Sequence, residues 1–236
     1  NKMFGGQEAV IIFNDVFIPH ERVFMCGEYQ YTGALVERFA GYHRQSYGGC
    51  KSGVGDVLIG AAQAIAKIQG LEGVSHIKEK LVEMIHLNET IYSCGIACSA
   101  EGRPTASGTY LIDLMLANIC KLNVTRNPYE ISRLAQDIAG GILVTLPSEK
   151  DFANPEVGPL LEKYLRGASQ YTTEDRCRIQ RLIENLTLGT GAVGYLTESM
   201  HGAGSPQAQK IMIGRLANLN YKEQIAKELA GIKDRD

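Results

Sequence analysis

The residues best suited to chemistry lie in His43-Arg44-Gln45-Ser46-Tyr47-Gly48-Gly49-Cys50-Lys51, which sets an imidazole, a phenol, a thiol and an ammonium around a glycine pair. Each of these polar heads needs a partner once water is excluded. A borderline nitrogen and a soft sulfur are also ligand types that suit iron–sulfur clusters or zinc. If the segment is helical, His43 and Cys50 lie two turns apart, roughly 10 Å between Cα atoms, and point the same way. That spacing suits a body several ångströms wide, such as a cluster. It suits a single zinc ion poorly unless Gly48-Gly49 breaks the helix. The plainer reading of the same residues is a core thiol, packing as a small hydrophobe beside a hydrogen-bonded histidine.

Three further stretches carry chemistry-bearing types. Glu198-Ser199-Met200-His201-Gly202-Ala203-Gly204-Ser205-Pro206 joins a carboxylate, an imidazole and a glycine-rich turn that leads into a helix N-terminus. Backbone N–H groups there favour anions, although a polar helix–turn–helix connection reads equally well. Cys94 and Cys98 are four apart and share one helix face. Their neighbours Gly95 and Ala97 are small, which points to tight helix contact rather than ligation. Gly140-Gly141 ends a helical stretch, where glycine permits left-handed backbone and close approach of a ligand to the main chain. An ordinary helix C-terminus explains that pair as well. Cys26, Cys120 and Cys177 have no companions and read as structural.

The elements that must position these groups are almost all helical. Glu8 to Phe13 and Val16 to Pro19 read as two short extended runs parted by the Asn14-Asp15 turn. One or two strands make no independent sheet, so their neighbours are expected in another chain or a preceding part, and the sequence reads as the C-terminal portion of a larger protein. Helices are expected over 31–47, 54–71 and 74–100, the last from the near-3.6 spacing of Ile77, Leu81, Met84, Ile85, Tyr92 and Ile96. Pro104 is expected to open the next, running to about Val124, and Asn127-Pro128 another that ends at Gly140-Gly141. Further helices are expected over 155–166, 173–187, 195–200 and 206–216, followed by a polar tail from Tyr221. The reading is an all-α, up-and-down helical bundle with a short β remnant at its N-terminus.

With 236 residues, 44% of them hydrophobic, the chain can bury a sizeable core. A net charge of −2 gives no basic footprint for nucleic acid or an anionic membrane. No apolar run is long enough to span a bilayer. Six cysteines without a short-loop framework fit a reducing compartment, so a cytoplasmic protein is expected.

Taken together, the 43–51 and 198–206 segments resemble the CoA-thioester dehydratase branch of the flavin-dependent 4-hydroxyphenylacetate 3-hydroxylase family, which shares the acyl-CoA dehydrogenase architecture. The resemblance covers essentially the whole chain. It implies that residues 1–25 end a middle β-barrel domain and that residues 26–236 form the C-terminal helical bundle. The implied reaction is dehydration of 4-hydroxybutyryl-CoA to crotonyl-CoA by a transient radical route, with vinylacetyl-CoA Δ-isomerase activity. The implied cofactors are FAD and a [4Fe-4S] cluster, the implied partner an acyl-CoA, and the implied assembly a homo-oligomer (tetramer or dimer). By resemblance His43 and Cys50 are two cluster ligands, the other two being cysteines of a preceding part. Cys94 and Cys98 match no ligand position. His43, Tyr47, Lys51 and Glu198 fall on active-site positions, Glu8 on a carboxylate near the flavin, and Gly140-Gly141 on a pair that meets the FAD of a neighbouring subunit. Two rival readings are a flavin-dependent aromatic monooxygenase without a cluster, against which the His43/Cys50 pair argues, and a helical module without catalytic function.

Overall fold

The computed structural model describes residues 9–232. A single helix, α1, runs from Thr32 to Ile68, 37 residues or roughly 55 Å at 1.5 Å per residue. Gly48-Gly49 does not break it, and the two helices expected there are one. Glycine costs helical stability, and here tertiary packing uses what it offers in exchange. A Cβ on Gly48 would stand 2.6 Å from the Gly95 Cα, and one on Gly95 would stand 2.9 Å from the Gly48 Cα, so two backbones touch at this crossing. Gly41 and Gly55, one heptad to either side, are filled in the same way by Leu114 and by the Asn88 side chain.

The second helix, α2 (Ser75–Ala100), returns along α1 after a short turn and agrees with the sequence expectation. The next does not begin at Pro104. Arg103–Pro104 (β1) and Tyr110–Leu111 (β2) instead form a two-stranded antiparallel ribbon, and α3 spans Leu114–Val124. Its N-cap is Asp113, whose side chain accepts from the Leu116 N–H at 2.7 Å. This cap, the preferred residue type for the position, sets the start that the proline had suggested ten residues earlier. After a brief turn, α4 (Asn127–Ala139) continues in the same direction with Pro128 in its first turn.

Short helices α5 (Glu149–Phe152) and α6 (Gly158–Tyr164) lead to α7 (Thr173–Thr187), which opens on a capping box between Thr172 and Asp175. The chain then runs through α8 (Thr190–Ala192), a π-helical turn at Val193–Thr197 and α9 (Glu198–His201). Two more helices follow, α10 (Pro206–Leu216) and α11 (Leu219–Leu229). The polar tail expected from Tyr221 is therefore helical, capped by Asn218.

Four antiparallel rods result: α1, α2, the broken rod α3–α4, and the broken rod α7–α9. Contacts at both ends of α1 set the directions. Arg44 meets Asn118 of α3 and Gln69 meets the Ala139 carbonyl, so α3–α4 runs with α1. Lys51 meets Glu198 and Arg44 meets Ala203, so the fourth rod runs against it. The main core lies in the later half of α1, where Leu58, Ala62 and Ile65 pack with Met84, Ile131, Ala135 and Ile183. Residues 9–18 form no strand among the described residues, and Val10, Ile11, Ile12, Phe13 and Phe17 are exposed.

Candidate functional site

The earlier half of α1 is built differently. Tyr47 is only 2% exposed, packed with Ile91, Val124 and Ala203. Its hydroxyl donates to Glu198 Oε1, and the other carboxylate oxygen of Glu198 pairs with the Lys51 ammonium. Lys51 Nζ also donates to the Gly194 carbonyl at 2.6 Å, inside the π-helical turn. Such wide turns recur at functional sites, and this one brings Glu198 round to face α1. Gly202 completes the approach, since a Cβ there would collide with both the Tyr47 hydroxyl and Glu198 Oε1. The next residue, Ala203, takes φ 56°, a left-handed backbone that costs a non-glycine residue of the order of 1–3 kcal/mol.

The electrostatics follow from this packing. Burial alone would push the Glu198 carboxyl up, but the hydrogen bonds from Lys51 and Tyr47 and the charges of Lys51 and Lys121 outweigh it, and the group sits below its ordinary value. Glu198 is thus held as a carboxylate, with a phenol on one oxygen and an ammonium on the other. For Cys50, burial pushes the thiol up, Lys51 opposing it and Glu198 adding to it.

His43 and Cys50 lie on the same side of the unbroken α1, both exposed, one turn before and about one turn after Tyr47. The His43 ring stacks on the Tyr47 ring at 5.2 Å between centroids and 12° between planes. Among the described residues no group of three or more His, Cys, Asp or Glu could hold a metal ion. One imidazole and one thiol are therefore the donors that this face offers. Cys94 and Cys98 go elsewhere: Cys98 packs with Ile112, Ala117 and Cys120, with Cys94 beside them. Burial pushes both Cys98 and Cys120 up to about 12, so these are inert thiols.

Of the residues singled out from sequence, the fold brings His43, Tyr47, Cys50, Lys51 and Glu198 to one place. Gly140-Gly141 is not among them. It ends α4 next to Gln69, about 27 Å along α1 from Lys51. Gly140 does adopt φ 80°, and a Cβ on either glycine would meet nothing within 4 Å, so the main chain there is open to approach. Glu8 lies outside the described residues, and His201 is exposed.

Sequence reasoning missed two cations. Arg44, 7% exposed, donates to Asn118 Oδ1 and to the Ala203 carbonyl, each at 2.9 Å. Lys121, 0% exposed, donates to the Ser199 carbonyl. The available signal was Asn118 and Lys121, three apart on one face of an otherwise apolar helix, where solvated side chains are not expected.

Fold and site together define the helical domain of an acyl-CoA dehydrogenase-like protein. Residues 32–231 match the family model for the 4-hydroxyphenylacetate 3-hydroxylase C terminal, and the chain belongs to that family. It is 61% identical over 241 residues to the 4-hydroxybutyryl-CoA dehydratase/vinylacetyl-CoA-Δ-isomerase of Clostridium aminobutyricum, covering 99% of this chain and 49% of that protein. The solved oxygen-tolerant archaeal 4-hydroxybutyryl-CoA dehydratase from N. maritimus superimposes with a TM-score of 0.95 at 64% identity, covering 98% of this chain and 46% of the other. More distant is the oxygenase component of 4-hydroxyphenylacetate 3-monooxygenase. Its FAD complex gives a TM-score of 0.78 at 30% identity, over 92% of this chain and 46% of that one. The chain spans about half the length of the curated relatives it matches.

Proposed function

We propose that this chain is the helical domain of a flavin- and iron–sulfur-dependent hydro-lyase that converts 4-hydroxybutyryl-CoA to crotonyl-CoA, with vinylacetyl-CoA Δ-isomerase activity. The observation that carries the reading is the Tyr47–Glu198–Lys51 cluster directly beside the His43/Cys50 stripe, in a chain 61% identical to a dehydratase of that name. The donor set fits an iron–sulfur cluster: a soft and a borderline ligand, two helical turns apart, offer half of a four-ligand set. The other two ligands belong to a part preceding this chain. For FAD, the support is the flavin-bound structure in the same family and the open main chain at Gly140-Gly141. The exposed apolar run Val10–Phe13 fits residues 1–25 as the end of a β-barrel domain, with 26–236 as the bundle. A homo-oligomer in the cytoplasm, acting on an acyl-CoA, completes the reading. Among the described residues no helix is long and apolar enough to cross a membrane, which leaves the location to the resemblance.

When bound, the flavin would supply one-electron exchange with the thioester, and the cluster a Lewis-acidic iron for the departing hydroxyl. The chain's own residues manage protons. Glu198 is ionised but quenched as a base by Lys51. A substrate oxygen that takes over the Lys51 ammonium would release the carboxylate to accept the proton from C2. The Tyr47 hydroxyl, already on Glu198, can pass a proton across the same site. His43 lies exposed on the ring of Tyr47, within reach of the same space, and is the candidate base for the C3 proton.

The test uses the full-length enzyme prepared without oxygen. Cys50→Ala and His43→Ala are each expected to lose cluster iron and dehydratase activity together, while Cys94→Ala keeps both. Full iron in Cys50→Ala with loss in Cys94→Ala would reverse the ligand assignment. Wild-type enzyme without iron that hydroxylates a phenol would favour the monooxygenase reading.

A further inference from the structure

Three buried cations converge on residues 194–203, and each donates to a main-chain carbonyl: Lys51 to Gly194, Lys121 to Ser199 and Arg44 to Ala203. Of the three, only Lys51 has a carboxylate in an ion pair among the described residues, and Lys121 is the more deeply buried of the other two. A fully buried ammonium is costly unless the surroundings use its charge. Its place is specific. Nζ stands 4.6 Å from the centre of the Tyr47 ring, and the Lys51 ammonium lies 5.0 Å from the same centre. The carbonyl it binds belongs to the residue after Glu198, in the last turn of α9. Carbonyls at a helix end lack intrahelical partners, and a cation there is favourable.

From this geometry we propose that Lys121 is a positioning residue, whose buried ammonium anchors the end of α9 and so aims the Glu198 carboxylate at the Tyr47 hydroxyl and Lys51. The proposal rests on the reading of Glu198 as an acid–base group. It goes beyond that reading by giving a role to a fully buried residue outside the Tyr47–Glu198–Lys51 cluster. The charged and titratable groups that act on Glu198 are Tyr47 and Lys51 from α1 and Lys121 from α3, with the Cys50 thiol of α1 also in its field, while Arg44 and Cys120 act on Lys121. Removing Lys121 takes away one of the cations that hold the carboxyl low.

The experiment compares wild type, Lys121→Met and Lys121→Gln in the full-length enzyme. Methionine is close in shape, so it leaves little cavity, and being apolar it avoids the cost of burying an ammonium. Thermal unfolding and iron and flavin content are therefore expected to match wild type. The Glu198 titration, followed by the carboxyl infrared band that vanishes in Glu198→Gln, is expected to move to higher pH in both variants. The turnover number for 4-hydroxybutyryl-CoA should fall about 10²-fold, the cost of a small misplacement of reacting groups, with KM within about threefold. A turnover number and titration equal to wild type would overturn the proposal. So would early melting of both variants, since Lys121 would then be a structural residue. If wild type itself does not dehydrate the substrate, the functional reading fails, while the infrared titration still decides whether Lys121 sets the state of Glu198.

Discussion

The two halves of α1 show what burial is for. Beyond Gly55 the helix presents Leu58, Ala62 and Ile65 to apolar partners, and each large side chain contributes roughly 1.5–3 kcal/mol by leaving water. Before Gly55 the same helix buries Arg44, Tyr47 and Lys51, whose interactions offset their desolvation at best. One half holds the bundle together. The other half holds charges in an arrangement that stability alone would not select, and the glycines at 41, 48 and 55 let neighbouring helices close over both.

The largest effect that would separate the halves is on turnover. Glu198→Gln keeps the shape but exchanges one accepting oxygen for an N–H donor and removes the proton-accepting charge, and is expected to slow the full-length enzyme by ~10²–10⁴ at unchanged iron and flavin content. Loss of solvent deuterium exchange at C2 of a substrate analogue should accompany it. Wild-type turnover in this variant would make Glu198 a structural carboxylate and collapse the contrast between the halves.

In the core half, Ile65→Ala should do the opposite. Denaturant unfolding is expected to show a loss of about 2–5 kcal/mol from the cavity left behind. Turnover below the melting transition should stay near wild type. A large fall in rate would mean that the halves are coupled through the helix.

A pH test sharpens the comparison without touching the chemistry. Burial pushes the Lys121 ammonium down to about 8, Glu198 opposing the shift and Lys51 and Arg44 adding to it. An amine depressed in the folded state leaves the unfolded chain holding more protons between that value and the ordinary lysine range. Stability must then rise with pH across this window. Wild type should gain stability relative to Lys121→Met between about pH 8 and pH 10.5. Parallel pH–stability curves would show that the ammonium is not buried as described. Glu198 acts with the reverse sense at the acid end. Its lowered carboxyl contributes stability above the ordinary glutamate range, and this is lost as pH falls through its folded value.

The smallest effect is expected at Cys94→Ala. The residue is half-buried beside the Cys98–Cys120 cluster, and truncation should cost about 1 kcal/mol with iron content unchanged. Loss of iron there would bring a second part of the molecule into the site.

Much of the bundle was legible in the sequence because its helices carry their own signals. The Thr172–Asp175 capping box starts α7 at Thr173, and Pro128 followed by Gly140 brackets α4. The His43–Cys50 stripe followed from helical spacing alone. The chemistry of a glycine pair was not legible, because the same Gly48-Gly49 serves a break or a close crossing. The Gly48–Gly95 contact, made between residues 47 positions apart, settled it as a crossing. Pro104 likewise pointed to a helix start that Asp113 took over once the β1–β2 ribbon had formed.

The sequence by itself determined which residues have the right chemistry and the helical register that sets His43, Tyr47, Cys50 and Lys51 along one side of α1. Only the tertiary structure decided that Glu198 meets Tyr47 and Lys51 across some 150 residues of chain, and that Lys121 lies buried beneath them. The reason is physical. Helical periodicity is a local property, carried by neighbouring residues, whereas burial of a charge depends on which distant backbone carbonyls and rings arrive to receive it.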